Sequence, residues 1–228
     1  MLSEKVVEEK ADLGIVVDPD VDRLAFVDEN GEVFGEEYTL VACSDYILSK
    51  TPGNTVSNLS STLALSDITI QRDGNYHASA VGEVNVVEKM KEVEAVIGGE
   101  GNGGVIYPDL HYGRDALVGI ALFLSLLAEK NQKVSVLRAS YPDYVMCKAK
   151  ISFSKGMDAD SILKKFELKY FEKNPNTIDG VKLSFESSWV HLRKSNTEPI
   201  IRVYTEAKSE KEANELAQRF LKEIEEMI

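Results

Sequence analysis

Three aspartates alternate with other residues in Asp18-Pro19-Asp20-Val21-Asp22, and Arg23 follows them directly. The apolar segments 13–17 and 24–27 on either side predict two short buried strands, with the acidic residues in the loop between them. Carboxylates ~5 Å apart repel one another by roughly 3 kcal/mol per pair at an effective dielectric of about 20. A divalent cation relieves that repulsion, and all-oxygen ligands favour Mg²⁺. The loop therefore predicts a magnesium site, with a solvated acidic turn as an equally weighted alternative.

The same loop does not fit a calcium site of the helix–loop–helix type. Glu29 occupies the twelfth position counted from Asp18, but Arg23 occupies the sixth, where such a loop needs glycine. The flanking segments are also typical of strands rather than helices. We therefore reject calcium.

A glycine-rich segment, Gly99-Glu100-Gly101-Asn102-Gly103-Gly104, has the spacing of a dinucleotide-binding loop. That loop requires a helix to follow at once, whereas residues 105–108 are typical of extended chain. The segment instead predicts a loop that presents Glu100 and Asn102 at the carboxyl edge of a parallel sheet, where ligands bind. A carboxylate and an amide suit the paired hydroxyls of a sugar. A plain glycine turn is the alternative.

A third polar segment, Arg193-Lys194-Ser195-Asn196-Thr197-Glu198-Pro199, joins two predicted strands, and Arg202 lies just beyond it. Arginines, hydroxyls, an amide and backbone N–H groups can together enclose a phosphate. The alternative is an ordinary polar hairpin. His111 lies between the glycine-rich segment and the next predicted helix, so it is a further candidate for the sugar site.

The 228 residues are enough for one large or two modest domains. Strands and helices alternate over residues 31–135, which predicts an α/β domain with a mainly parallel sheet between two helical layers. Its predicted helices include 36–50, 62–71 with Ser60 or Ser61 as the N-cap, and 114–130. From residue 143 a strand, a helix, three strands and a helix predict a small α+β domain, whose last helix is predicted to begin with Ser209 and Glu212 as a capping box. Residues 131–142 are the predicted linker. The charge changes there, because residues 1–135 hold 10 basic and 23 acidic side chains and residues 136–228 hold 16 and 15.

Composition excludes several classes of partner. The acidic first part of the chain argues against nucleic acid, whose binding requires neutralised phosphates. The longest apolar stretch, residues 116–128, is too short to span a bilayer, and the first residues lack the layout of a signal peptide. Cys43 and Cys147 lie far apart in the sequence, as expected for buried thiols in a reducing cytoplasm. We therefore expect a cytoplasmic protein.

The three loops, in this order and on these elements, resemble those of the α-D-phosphohexomutase family, which includes phosphoglucomutase, phosphomannomutase and phosphoglucosamine mutase. The segment 193–199 is the most specific of them, since R-x-S-N-T-E-P matches throughout. Gly113-Arg114-Asp115 is also similar to the family pattern after the sugar loop. Because three matches coincide in order and spacing, the alternatives given for each loop lose most of their weight.

The resemblance implies a four-domain isomerase of carbohydrate metabolism, an intramolecular phosphotransferase of the phosphoglucomutase or phosphomannomutase type. Residues 1–30 would end its second domain, 31–135 would form its third and 143–228 its fourth. The family's phosphoserine lies in a first-domain motif of the type T-A-S-H-N-P, which this sequence lacks. The chain is then expected to be the C-terminal part of the enzyme and to be inactive without the N-terminal domains.

The resemblance also implies a role for each candidate residue. Asp18, Asp20 and Asp22 would hold Mg²⁺, and Arg23 would stabilise charge on the transferring phosphoryl group. Glu100, Asn102 and His111 would meet the sugar. The non-reacting phosphate of a hexose phosphate or hexose 1,6-bisphosphate would be held by Arg193, Ser195, Asn196, Thr197 and Arg202. Pro19, Val21 and Asn102 depart from the family, whose members usually have small residues between the aspartates and often serine in the sugar loop.

Two other functions stay open on the sequence. One is a truncated, non-catalytic module that binds phosphosugars. The other is a metal-dependent phosphatase, which would need an aspartyl nucleophile in the aspartate loop. The sequence does not distinguish glucose, mannose and glucosamine phosphates, and weak or no metal occupancy is expected in this chain alone.

Overall fold

The computed structural model describes residues 1–152, 158–195 and 197–227. The chain forms two compact units, Met1–Asp143 and Tyr144–Ile228. Within the described residues, no helix is long and apolar enough to cross a membrane. The finer limits predicted for three domains stay predictions.

The first unit begins with helix α1 (Leu2–Glu9) and an antiparallel ribbon of β1 (Leu13–Val17) and β2 (Leu24–Asp28). Strand β2 is largely buried, and its Phe26 ring stacks on Phe123 at 3.8 Å between centroids. In contrast, β1 is exposed from Ile15 onward. The prediction of two buried strands is therefore right for β2 and wrong for β1, because the ribbon buries only its β2 side.

The main sheet of the first unit has the strand order β4-β3-β5-β6, in which β3, β4 and β5 are parallel and β6 is antiparallel to β5. Its strands and helices, in chain order, are α2 (Glu36–Lys50), β3 (Thr55–Asn58), α3 (Leu63–Gln71), β4 (Tyr76–Ser79), α4 (Glu83–Glu92), β5 (Ile97–Glu100), β6 (Gly104–Ile106) and α5 (Ala116–Lys130). The prediction of a mainly parallel sheet is confirmed.

Helices cover both faces of this sheet. Gly98 of β5 faces Met90 of α4, and the next residue, Gly99, faces Leu40 of α2. Successive residues of a strand point to opposite faces, so α4 lies on one side and α2 on the other. Helices α3 and α5 both pack against α2. The predicted three-layer α/β arrangement is confirmed.

The ends of two helices differ from the expected ones. Thr62, rather than Ser60 or Ser61, caps α3 by accepting a hydrogen bond from the N–H of Ala64. Helix α5 begins at Ala116 with Asp115 as its N-cap, whereas the sequence predicted a start at Arg114. Arg114 is thus free to point away from the helix.

The predicted linker is packed into the first unit. It contains a short helix, α6 (Val134–Ala139), in which Val134 and Leu137 are buried. The hydroxyl of Tyr141 donates to Asp45 Oδ2 at 3.3 Å. The first unit ends at Asp143, just after this segment, and the domain limits predicted on either side of the segment stay predictions.

The second unit is an antiparallel sheet of order β7-β10-β9-β8. Its elements in chain order are β7 (Val145–Ser152), α7 (Ala159–Lys169), β8 (Val181–Ser184), β9 (Trp189–Lys194), β10 (Ile200–Ala207) and α8 (Glu210–Glu225). Phe166 of α7 and Phe220 of α8 join Leu192 and Val203 of the sheet in one core. The helices therefore cover one face, and the predicted α+β fold is confirmed.

Candidate functional site

The aspartate loop brings its carboxylates together. One oxygen from each of Asp18, Asp20 and Asp22 lies within 4.8 Å of the others. Asp18 Oδ1 accepts hydrogen bonds from the N–H groups of Asp22 at 3.2 Å and Arg23 at 3.1 Å. These bonds close the loop into a turn, so the three side chains converge rather than disperse into solvent.

Helix α5 anchors the same loop. The N–H of Ala116 at the helix start donates to the carbonyl of Val21 at 3.1 Å. To make this contact Val21 adopts a φ of 58°, in the left-handed region. A β-branched residue is rarely found there, so the loop carries local backbone strain.

The two partly buried aspartates titrate in opposite directions. Desolvation and the neighbouring Asp18 carboxyl raise the pKa of Asp22, and the Arg114 guanidinium only partly offsets them. Desolvation also acts on Asp18, but hydrogen bonds from the Arg23 and Asp22 N–H groups outweigh it and lower the pKa of Asp18. The fold thus holds the carboxyl groups of Asp18 and Asp22 so close together that ionisation of one disfavours ionisation of the other. A bound cation can relieve this repulsion.

Asp22 supplies the clearest indication of a cation. Its Oδ2 contacts Arg114 Nη2, whereas its Oδ1 is buried and accepts no hydrogen bond among the described residues. A buried carboxylate oxygen without a donor is costly unless something else compensates it. Three converging carboxylates with one such oxygen fit a hard divalent cation such as Mg²⁺.

Arg23 lies at the side of this cluster. Its Nε is 3.9 Å from Asp18 Oδ2 and 3.8 Å from Asp22 Oδ1, and its side chain is half exposed. Asn102 shares one shallow depression with Asp18, Arg23 and Glu36. The structure therefore brings the predicted metal loop and one predicted sugar residue to the same surface.

Glu100 is placed differently from the expectation. It is the last residue of β5 rather than part of the loop, and only 5% of it is exposed. Asn58 Nδ2 donates to its Oε1 at 3.1 Å, and Arg114 Nη1 donates to its Oε2 at 2.8 Å. Both oxygens are engaged, so a sugar hydroxyl would have to share a carboxylate that the fold already holds.

His111 lies against Asp115 rather than pointing freely into a site. Its Nε2 is 3.0 Å from Asp115 Oδ2, and Asp115 Oδ1 accepts from the N–H of Val118 as the cap of α5. Partial burial raises the pKa of Asp115, but the donors Val118 and His111 outweigh that effect and lower it overall. The role of His111 toward a sugar stays a prediction.

The sequence analysis missed Arg114 as a site residue. Its guanidinium contacts both Asp22 of the aspartate loop and Glu100 of β5. The resemblance of Gly113-Arg114-Asp115 to the family pattern pointed to Arg114. However, the helix was predicted to begin at Arg114, so this residue was assigned to the helix and not to the site. A residue in the first helical turn gives no hint that it reaches two separate loops.

The predicted phosphate loop lies in the second unit. Arg193 of β9 and Arg202 of β10 are directly opposite in the strand register, and Lys150 of β7 is opposite Arg202 on the other side. Like charges in such positions are unfavourable unless anions compensate them. Asp179 partly does so, since its Oδ2 is 2.7 Å from Arg193 Nε.

The turn between these strands is closed by hydrogen bonds of its own. Ser195 Oγ accepts from the N–H groups of Thr197 at 3.4 Å and Glu198 at 3.3 Å. Arg202 Nη1 donates to Tyr204 Oη at 3.1 Å, and this bond raises the pKa of Arg202. Asn196 lies outside the described residues. The row of cations beside a hydroxyl-containing turn suits a phosphate.

The first unit is thus a three-layer α/β domain with adjoining acidic and glycine-rich loops, and the second is an α+β domain with an arginine-lined turn. Residues 35–144 match the model of phosphoglucomutase/phosphomannomutase alpha/beta/alpha domain III, and residues 145–223 match that of the C-terminal domain. The chain belongs to the phosphoglucomutase/phosphomannomutase family.

Similar proteins include enzymes with different substrate names. The probable phosphoglucosamine mutase of Methanopyrus kandleri is 33% identical, covering 92% of this chain and 47% of that protein. The phosphoglucomutase/phosphomannomutase of Thermococcus kodakarensis is 34% identical, covering 96% and 48%. A crystal structure of a family protein from Burkholderia thailandensis is 25% identical with a TM-score of 0.82, covering 97% and 49%. The chain spans about half the length of the curated relatives it matches.

Proposed function

We propose that this chain is the metal-binding and phosphosugar-binding half of a phosphohexomutase, which interconverts hexose 1-phosphates and 6-phosphates through a hexose 1,6-bisphosphate. The observation that best supports this proposal is the cluster of Asp18, Asp20 and Asp22, in which the buried Oδ1 of Asp22 has no hydrogen-bond donor among the described residues. Family membership supports the reaction class.

Each part of the chain would contribute one element of phosphoryl transfer. Bound Mg²⁺ supplies charge neutralisation on the transferring group. Asp18, Asp20 and Asp22 would hold the ion, and the half-exposed Arg23 would stabilise charge on the transferring phosphoryl group. The phosphoryl donor is proposed to be a serine in a segment equivalent to the half of the relatives that this chain does not match.

The second unit would hold the phosphate that does not react. Arg193 and Arg202 offer guanidinium groups, and Ser195 and Thr197 offer hydroxyls, with Asn196 proposed on the family motif alone. Binding energy from this remote phosphate serves to position the sugar, which is how such energy raises a reaction rate. Asn102 is proposed to contact the sugar hydroxyls beside the aspartate loop.

For the substrate we propose the glucose or mannose type, acting in the cytoplasm. Glucosamine phosphate is the rival, because the similar proteins carry both kinds of name. Asn102 is the residue to examine, because the family often has serine in this loop. The asparagine side chain is longer than serine and ends in an amide, which can both donate and accept hydrogen bonds.

Binding experiments on the purified chain test the proposal. Mg²⁺ titration by calorimetry should show weak binding that Asp22→Asn abolishes, with Asp12→Asn as the control that removes an equal charge outside the loop. Glucose 1-phosphate, mannose 1-phosphate and glucosamine 1-phosphate are then titrated, and Arg202→Gln should remove binding of whichever binds. A wild-type chain that binds neither Mg²⁺ nor any of the three would refute the proposal.

Activity assays separate the proposal from the other functions. The chain alone, freed of contaminating mutase, should not convert hexose 1-phosphates even with hexose 1,6-bisphosphate added. Phosphosugar binding without turnover in the full-length protein would favour the non-catalytic module. Release of inorganic phosphate that Asp18→Asn abolishes would favour the metal-dependent phosphatase.

A further inference from the structure

Arg114 is the only described residue whose side chain forms ion pairs with both the aspartate loop and β5. It precedes α5, and its side chain is 14% exposed. Nη2 contacts Asp22 Oδ2, and Nη1 donates to Glu100 Oε2 at 2.8 Å. Its Nε lies 3.4 Å from Glu83 Oε2, and its backbone N–H donates to Glu83 Oε1 at 2.9 Å. Three carboxylates from three elements thus share one guanidinium.

The fold leaves space for this side chain. A Cβ atom added at Gly104 would lie 2.5 Å from Arg114 Cδ and 3.1 Å from Cγ. These atoms lie in the middle of the side chain, so they cannot move aside without withdrawing the guanidinium from its partners. Glycine at position 104 is therefore required for Arg114 to reach Asp22 and Glu100.

The shape of the guanidinium explains why arginine occupies this position. Its planar fork can donate in two directions at once, whereas the ammonium of lysine is a single compact charge. One arm fixes Asp22 Oδ2, and the other oxygen of that carboxylate, the buried Oδ1, accepts no hydrogen bond among the described residues. The other arm fixes Glu100, whose second oxygen is held by Asn58.

We propose that Arg114 is a positioning residue that holds the aspartate loop and the Glu100 segment in one arrangement, so that the cation site and the sugar site are formed together. The proposal rests on the proposed function for the identity of the two sites. The contacts themselves do not depend on it. Arg114 acts through Asp22 and Glu100 and is not itself assigned a contact with substrate.

Cation affinity distinguishes this role from a purely electrostatic or a purely stabilising one. Mn²⁺, followed by water-proton relaxation, is the probe. If Arg114 orients Asp22, both Arg114→Lys and Arg114→Met should weaken Mn²⁺ binding by roughly tenfold or more, as loss of an outer-shell partner does. If it acts only as a charge, Arg114→Lys should bind like the wild type and Arg114→Met more tightly. If it acts only on stability, affinity should not change. Either of the last two results would overturn the proposal.

A second variant, Gly104→Ala, leaves Arg114 and its positive charge in the chain. Gly104→Ala should displace Arg114 and weaken Mn²⁺ binding like Arg114→Lys. Gly113→Ala is the matched control, because a Cβ there meets only the His111 ring, at 3.1 Å from Nδ1. Lys50→Gln controls for loss of a positive charge, since Lys50 pairs with Glu129 far along the chain. Unaltered affinity in a folded Gly104→Ala variant would contradict the proposed role.

Amide hydrogen exchange in EDTA tests, in the absence of metal, whether Arg114 holds both the aspartate loop and the Glu100 segment. In Arg114→Lys, peptides covering 18–23 and 99–104 should both exchange faster, by roughly tenfold, while peptides of α2 stay protected. Faster exchange in only one of the two segments, or in neither, would overturn the proposal. A wild-type chain that does not bind Mn²⁺ would refute the proposed metal function, and the exchange result would still decide the role of Arg114.

Discussion

At the residue scale, Val21 holds a strained backbone conformation in the aspartate loop. Val21 adopts a φ of 58° and offers its carbonyl to the N–H of Ala116. The left-handed conformation costs an L-residue roughly 1–2 kcal/mol, and glycine pays no such cost. The loop geometry is therefore imposed by α5 and by the Asp18 hydrogen bonds, against the local preference of valine.

An alanine variant is usually more stable than a glycine variant at the same position, and we expect the reverse at Val21. Val21→Gly should be more stable than Val21→Ala by about 0.5–1 kcal/mol, because relief of the left-handed strain exceeds the greater chain entropy of glycine. Urea unfolding followed by circular dichroism measures the difference. Val16→Ala and Val16→Gly in β1 are the control pair and should show the ordinary order. The same order at both positions would mean that Val21 is not strained in solution.

At the scale of elements, the glycine-rich segment contacts the ribbon through its backbone. The N–H of Leu24 donates to the carbonyl of Gly103 at 3.1 Å, and Gly103 has a φ of 86°. A Cβ added there would lie 2.2 Å from the Leu24 carbonyl oxygen. Glycine at 103 therefore allows the aspartate loop and the end of the main sheet to approach each other.

Gly103→Ala should destabilise the first unit by about 2–4 kcal/mol, from left-handed strain and the clash with Leu24. It should also speed amide exchange in residues 18–24. Urea unfolding and exchange mass spectrometry test both effects, with Gly113→Ala as a control expected to cost much less. A Gly103→Ala variant as stable as the control would show that the two segments do not depend on this contact.

His191 couples the stability of the second unit to pH. It is buried on β9, and its Nε2 lies 2.6 Å from the Asp179 carbonyl oxygen. Burial lowers its pKa to about 4 from the model-peptide value of 6.5. Between these pH values the unfolded chain binds a proton that the folded chain does not, so the free energy of unfolding falls as the pH falls. The contribution of His191 to that loss is about 3 kcal/mol.

Fluorescence of Trp189 reports on this unit, because the chain has one tryptophan and it lies beside His191 on β9. Urea unfolding from pH 7 to pH 4 should show the fall in the wild type and a shallower fall in His191→Gln. Acidic groups that titrate below pH 5 affect both chains alike, so the difference between the curves is the measurement. Parallel curves would show that His191 takes up its proton in the folded state.

Local patterns predicted most elements of the chain, and tertiary contacts explain the rest. The α2 limits, the β1 and β2 segments and the Ser209 cap of α8 follow from apolar spacing and capping residues, which act within a few positions. The burial of Glu100 does not, because it depends on Asn58 and Arg114, which lie 42 and 14 positions away. Apolar content alone could not show that β1 lies open to solvent.

In the candidate site, too, some features follow from local sequence and others depend on tertiary contacts. The convergence of Asp18, Asp20 and Asp22 could be predicted because a single short loop contains them. The pairing of Arg193 with Arg202 depends on the register of β9 and β10, which the position of the turn between them sets. The contacts of Arg114 could not be predicted, since they join elements that only the folded chain brings together.

At the scale of the whole molecule, strand β1 presents a run of exposed apolar side chains. Ile15, Val16 and Val17 are successive large apolar residues with 36%, 47% and 36% of their areas exposed. In the described part of the chain, β1 pairs only with β2. An open strand edge with apolar side chains readily pairs with another chain.

We therefore expect the purified chain to self-associate through β1 as its concentration rises. Val16→Lys should weaken this association at least severalfold, because a charged side chain on an edge strand opposes edge-to-edge pairing. Sedimentation velocity over a concentration series measures the effect. Val84→Lys is the matched control, since Val84 is 70% exposed on the helix α4 rather than on a strand edge. Equal association in both variants and the wild type would exclude β1, and weakening by Val84→Lys alone would place the contact on α4. Weakening by Val16→Lys alone would identify the ribbon as the surface that this chain presents to other chains.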